Sequence, residues 1–202
     1  MATLEQALTQ AGYTVHNVPY ASRIATVEQL SETAIGPAVR ECERDGAAKI
    51  HFVTHSLGGI LVRNYLAEHS IPSLGRVVML APPNQGSELV DKLGRTWAFK
   101  AICGPAGREL GTDPDSICCK LGPGHFEFGV IAGNRSLNWI ESMLIPGRDD
   151  RKVSVERTKL EGMRDYIVVP TSHPFIMRNR TAIQQSIQFL SAGQFAGPKA
   201  AR

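Results

Sequence analysis

"IHFVTHSLGGILVRNYL", residues 50–66, is the stretch that decides the fold. The β-branched and aromatic run Lys49 to Thr54 reads as a strand, and Ile60 to Glu68 reads as a helix. Only His55-Ser56-Leu57-Gly58-Gly59 lies between them, with no polar loop. In an open parallel sheet, functional groups collect at the carboxyl ends of strands, and Ser56 stands at such an end. A serine held there on a sharp turn is exposed to substrate, and the helix that follows points its first amides at the same spot. Such a turn brings helix and strand backbones together, so small residues are needed two places before and after the serine. Gly58 meets that need, whereas Thr54 stands where the first glycine of G-x-S-x-G is usual. The competing reading is a serine that caps the helix with its side chain. The strand before and the helix after favour a nucleophile.

Outward from this turn, strands alternate with helices. Leu4, Ala7, Leu8 and Ala11 have helical spacing, Gly12 can end that helix, and Tyr13 to Val18 reads as a short strand. Thr26 to Arg44 is a helix that Pro37 should kink or restart. Arg76 to Leu80, Phe128 to Ala132 and Tyr166 to Val169 are further short strands, and Ile183 to Leu190 is a closing helix. This alternation predicts one α/β domain over residues 1–202 with a mostly parallel central sheet and helices on both faces. Residues 84–124 break the pattern. Five glycines and three prolines between Cys103 and Gly124 disfavour regular structure. Leu89, Leu93, Trp97 and Phe99 could carry an apolar face over a cleft, as a lid or cap, or could pack on the domain's own core.

Composition excludes several classes. A chain of 202 residues, 43% of them apolar, can bury a sizeable core, and a net charge of +3 without a block of like charges gives little basis for binding nucleic acid. No apolar run reaches the roughly 18 residues of a membrane span. Cys42, Cys103, Cys118 and Cys119 lack metal-type spacing, and reduced thiols in a cytoplasmic protein are the simplest reading. His51 and His55 stand four apart, but on a strand and without the glutamate of H-E-x-x-H, so no metal is expected.

A serine nucleophile needs a base, and the base needs an orienting carboxylate. "VVPTSHPFIM" places His173 just past the carboxyl end of the last strand, and "IPGRDDRKVS" offers Asp149 and Asp150 in the loop after "FGVIA". Nucleophile, acid and base then run in the order Ser56, Asp150, His173, each in a loop after a strand. His55, next to the serine on a tight turn, points elsewhere and is expected in the wall of the pocket.

The combination of "VTHSLGG", "LAPPNQGSE", "GVIAG", "DDRKVSVERTKLEGM" and "VPTSHPF" resembles bacterial α/β-hydrolases of the esterase and lipase type, from about residue 10 to about residue 190. It is close to those with an A/T-H-S-x-G elbow and a D-G-x-V acid loop. Asp150-Arg151-Lys152-Val153 matches that loop with Arg151 in place of glycine, which favours Asp150 over Asp149 as the acid. The resemblance implies an α/β-hydrolase fold and an acyl-enzyme cycle on an ester or lipid, without cofactor or metal. Ser56 attacks, His173 moves the proton, Asp150 holds the imidazole, and the Leu57 N–H donates to the oxyanion. Pro83 and Asn84, with His55, are expected at the substrate. An acyltransferase, a thioesterase or an impaired relative that only binds would share these features.

Such hydrolases also carry an earlier strand ending in His-Gly, beside the nucleophile strand, whose loop gives the second oxyanion donor. Nothing similar precedes Thr3, so an amino-terminally shortened fold is expected, with Tyr13 to Val18 separated from Lys49 to Thr54 by a gap one strand wide.

Overall fold

The computed structural model describes residues 1–94, 96–135 and 155–197, without the side chains of Leu89, Leu93 and residues 97–102. Four strands, β1 (Ile50–His55), β2 (Leu74–Leu80), β3 (Phe128–Gly133) and β4 (Asp165–Val169), form one sheet in that order, every pairing parallel. All four therefore end on one edge, where the loops bearing Ser56, Asn84 and His173 emerge.

The strands are apolar because both sheet faces are covered. Along β2, Val77 and Met79 enter one core with Ile60, Leu61 and Val62, while Val78 and Leu80 enter a second with Leu4, Leu8, Ile183 and Phe189. The first core is roofed by α2 (Val27–Leu30), α3 (Gly36–Arg44) and α4 (Leu57–Glu68), the second by α1 (Ala2–Gln10) and α8 (Arg180–Ala192). Between α2 and α3, residues Ser31–Ile35 form a π-helical turn. The break expected at Pro37 thus falls just ahead of it, and Pro37 sits in the first turn of α3, where its missing N–H costs nothing.

The insertion is more regular than its glycines and prolines suggest. It contains α5 (Glu88–Leu93), α6 (Trp97–Arg108) and α7 (Ile117–Lys120). Gly104, at φ 64° and ψ −168°, divides α6, and a Cβ there would lie 2.4 Å from Arg23 Cα. Ala106, Leu110 and Cys118 lie in the first core. The second half of the insertion is therefore anchored to the domain. The side chains of Leu89, Leu93, Trp97 and Phe99, on which an apolar lid face would depend, lie outside the description.

Tyr13 to Val18 is not a strand. Residues 14–18 make no backbone hydrogen bond to another described residue. With β1 they line a cavity of about 530 Å³, to which Val15, Val18, His51, Val53 and His55 contribute, and the Tyr13 ring meets the His51 ring edge-on with centroids 5.9 Å apart. A strand exists only where a neighbour completes its ladder, and among the described residues none pairs with this segment. The expectation of a strand at Tyr13 to Val18 fails, and with it the expectation of a one-strand gap between two strands.

Candidate active site

Ser56 has φ 52° and ψ −122°, a conformation that side-chain-bearing residues adopt only under constraint. It precedes α4 but makes no capping bond with its side chain, so the capping reading fails. Its N–H is held by Leu80 O at 2.9 Å, and Gly59 N donates to its carbonyl at 3.0 Å. The backbone is thus fixed on both sides while Oγ stays free among the described residues. The Leu57 N–H lies in the first turn of a twelve-residue helix, where backbone amides lack an intrahelical acceptor.

Thr54 is accommodated in place of glycine because the helix does not press on it. A Cβ added at Gly58 would stand 3.5 Å from Thr54 Cβ, an ordinary contact. The hydroxyl of Thr54, 8% exposed, donates to Val78 O at 3.4 Å. The tighter position is Gly59, where a Cβ would stand 3.1 Å from Pro82 Cβ. At the end of β2, Ala81 also has a positive φ, 46°, so two neighbouring strands both leave the sheet through constrained residues.

His173 begins a short 3₁₀ helix, His173–Arg178, after β4. The structure brings His55 and His173 together, with ring centroids 4.8 Å apart and His55 Nε2 3.0 Å from His173 O. A carbonyl can only accept, so His55 carries its proton on Nε2. Burial, then the charge of His173, pushes the His55 pKa down to about 4, so this ring is neutral at ordinary pH. Crowding by the surrounding protein also lowers the pKa of His173, although part of its surface stays exposed. A neutral imidazole is the form a base requires. No hydrogen bond joins Ser56 Oγ to His173.

Asp149 and Asp150 lie outside the described residues. The two ends of their loop are described. At the β3 end, Asn134 N donates to Val169 O at 3.2 Å and Arg135 N to Thr171 O at 2.9 Å. A Cβ at Gly133 would stand 2.6 Å from Thr171 O. The segment after β3 thus leaves the sheet tied to the segment that leads into His173.

At the far end of that loop, Asn84 Nδ2 donates to Thr158 O at 2.8 Å, Gln85 N donates to Arg157 O at 3.0 Å, and Arg157 pairs with Glu88 at 2.6 Å. "PPNQGSE" and "VERTK" are therefore one structural unit. Asn84 is only 1% exposed, and its Oδ1 and carbonyl both accept from Arg63 Nη1. Arg63 Nη2 donates to Cys118 O and Gly122 O. This buried guanidinium joins α4, the loop after β2 and the insertion. Both side-chain polar atoms of Asn84 are thus bonded to protein, while Pro83 is half-buried at the sheet edge. Arg63 and Asn64 inside an otherwise apolar helix face were the sequence signal for this hub. His51 also serves structure, with Nδ1 accepting from Arg76 N at 2.8 Å, and no group that could hold a metal ion occurs among the described residues.

No protein-family model matches the chain, and no curated protein sequence matches it. Solved structures do. Phospholipase PlaB from Legionella pneumophila superposes with a TM-score of 0.67 at 20% identity, over 95% of this chain and 56% of its own. The propeptide form of Bacillus licheniformis lipase BlEst2 gives 0.67 at 18% identity, over 98% of this chain and 48% of its own. Paleococcus ferrophilus monoacylglycerol lipase gives 0.55 at 16% identity, over 95% of this chain and 88% of its own. The chain has the α/β-hydrolase fold. It spans about half the length of the first two of these structures.

Proposed function

We propose that the protein is a serine hydrolase acting on carboxylic esters. The observation that carries this reading is Ser56: a constrained, uncapped serine between a parallel strand and a helix amino terminus, beside the loop of His173. Oγ attacks the ester carbonyl while its proton passes to His173. The oxyanion takes a hydrogen bond from the Leu57 N–H, and the imidazolium, oriented by Asp150, returns the proton to the departing alcohol. Water then attacks the acyl-enzyme by the same route, releasing the acid and restoring Ser56. Pro83, and the insertion 84–124 as a cap, would face the ester or lipid, with Asn84 acting through the hub rather than by touch. No step needs a cofactor.

The lack of a hydrogen bond between Ser56 Oγ and His173 favours a second reading, an impaired relative that binds without turnover. Fluorophosphonate labelling distinguishes the two. Covalent modification at Ser56 supports the enzyme, and an intact chain that resists the probe supports the binder.

A further inference from the structure

We propose that His55 is a positioning residue, whose Nε2–H holds the backbone carbonyl of His173 and thereby sets the base beside the nucleophile. This rests on the reading of Ser56 and His173 as nucleophile and base, and it gives His55, which also lines the cavity beside β1, a place in the frame behind the base.

The backbone around His173 has little else to hold it from the β1 side. His173 follows β4 through Pro170, which lacks an N–H, and Thr171, whose N–H turns back to Val169 O at 2.8 Å. Phe175 N closes onto Ser172 O, so the 3₁₀ turn is internally bonded but not thereby fixed to the nucleophile strand. The bond from His55 Nε2 to His173 O, 3.0 Å long, is a direct link between the residue before the serine and the residue that would take its proton. It spans 118 positions of sequence.

The chemistry of the side chain fits this role. Donation from Nε2 requires the Nε2–H tautomer, and a ring that stays neutral adds no second cation beside an imidazolium on His173. The two rings lie tilted at 51°, not stacked. A glutamine places an amide nitrogen near the position of Nε2 and can make the same bond. A phenylalanine fills the same volume and cannot.

The test uses the 202-residue chain, His55→Phe and His55→Gln, with two readouts. In the unsubstituted protein, ¹⁵N-imidazole NMR should show His55 as the Nε2–H tautomer at neutral pH; an Nδ1–H tautomer overturns the proposal by itself. The His173 imidazole signals should shift in His55→Phe and return toward the parent in His55→Gln. Labelling of Ser56 by a fluorophosphonate should slow by about ten- to a hundredfold in His55→Phe, the scale set by misplacement of a catalytic group by about 1 Å. The slowing should appear in the maximal rate rather than in the concentration for half-saturation, and His55→Gln should recover most of it. Unchanged His173 signals and labelling in a folded His55→Phe overturn the proposal. If the parent never labels at Ser56, the serine-hydrolase reading falls, and the NMR readouts still decide the role of His55.

Discussion

The two edges of β1 are supported unequally. Toward β2, the strand is paired along its length, and Ile50 N and Ser56 N donate to Ser73 O and Leu80 O. In a parallel ladder alternate residues face alternate neighbours, so the amides of His51, Val53 and His55 point the other way. There they meet a cavity of about 530 Å³ instead of a strand. Among the described residues, the strand that carries Ser56 is thus paired on one edge only. The elbow keeps its geometry through the supported edge, α4 and Gly59, whereas anything the site needs from the open edge must come from what fills the cavity.

The largest effect expected concerns the acid. Asp150→Asn should lower ester turnover by about 10⁴, as loss of the orienting carboxylate does in other triads, while Asp149→Asn should do little. Reversed effects in steady-state assays would place the acid one residue earlier. On the open side, joining to the chain a strand that ends in His-Gly should raise ester hydrolysis by at least about a hundredfold, since it supplies the second oxyanion donor and pairs β1. In the chain without it, hydrogen exchange at His51, Val53 and His55 should be faster than at Phe52 and Thr54. Equal exchange on both edges would remove the contrast.

Smaller effects concern the frame. Asn84→Ala deprives Arg63 of one acceptor and cuts the link to Thr158, and should lower unfolding stability by about 1–3 kcal/mol in denaturant titration. A variant as stable as the parent would deny the hub its role. The pH dependence of stability follows from His55 and His173. Both have folded-state pKa values below the ordinary 6.5, that of His55 at about 4, so between those values the unfolded chain binds more protons. The stability they contribute is full above about pH 6.5 and declines as the pH falls toward 4. His55→Gln should flatten that decline, and a decline of unchanged steepness would contradict the low pKa.

Much of this was legible in the sequence where the signal is local. A β-branched run, one serine, a pair of glycines and an apolar helix are contiguous, so β1, Ser56 and α4 could be read from residues 50–66, with the helix starting three residues earlier than its pattern. Tyr13 to Val18 misled because alternation measures suitability for a strand, while pairing depends on a neighbour that sequence does not display. The glycines and prolines of 103–124 suggested a bare loop. Gly104 in fact divides a helix, and Ala106, Leu110 and Cys118 reach the core. Asn84 looked like a substrate contact because its partners, Arg63 and Thr158, come from elsewhere in the chain. The bond from His55 to His173 was illegible for the same reason, since it arises only when two loops meet at one edge of the sheet.

The central claim is that Ser56 is the nucleophile, and mass spectrometry after fluorophosphonate treatment tests it most directly. The adduct should lie on the peptide containing Ser56 and on no other serine, and should vanish in Ser56→Ala. An adduct on a different residue, or labelling that survives Ser56→Ala, would contradict the account.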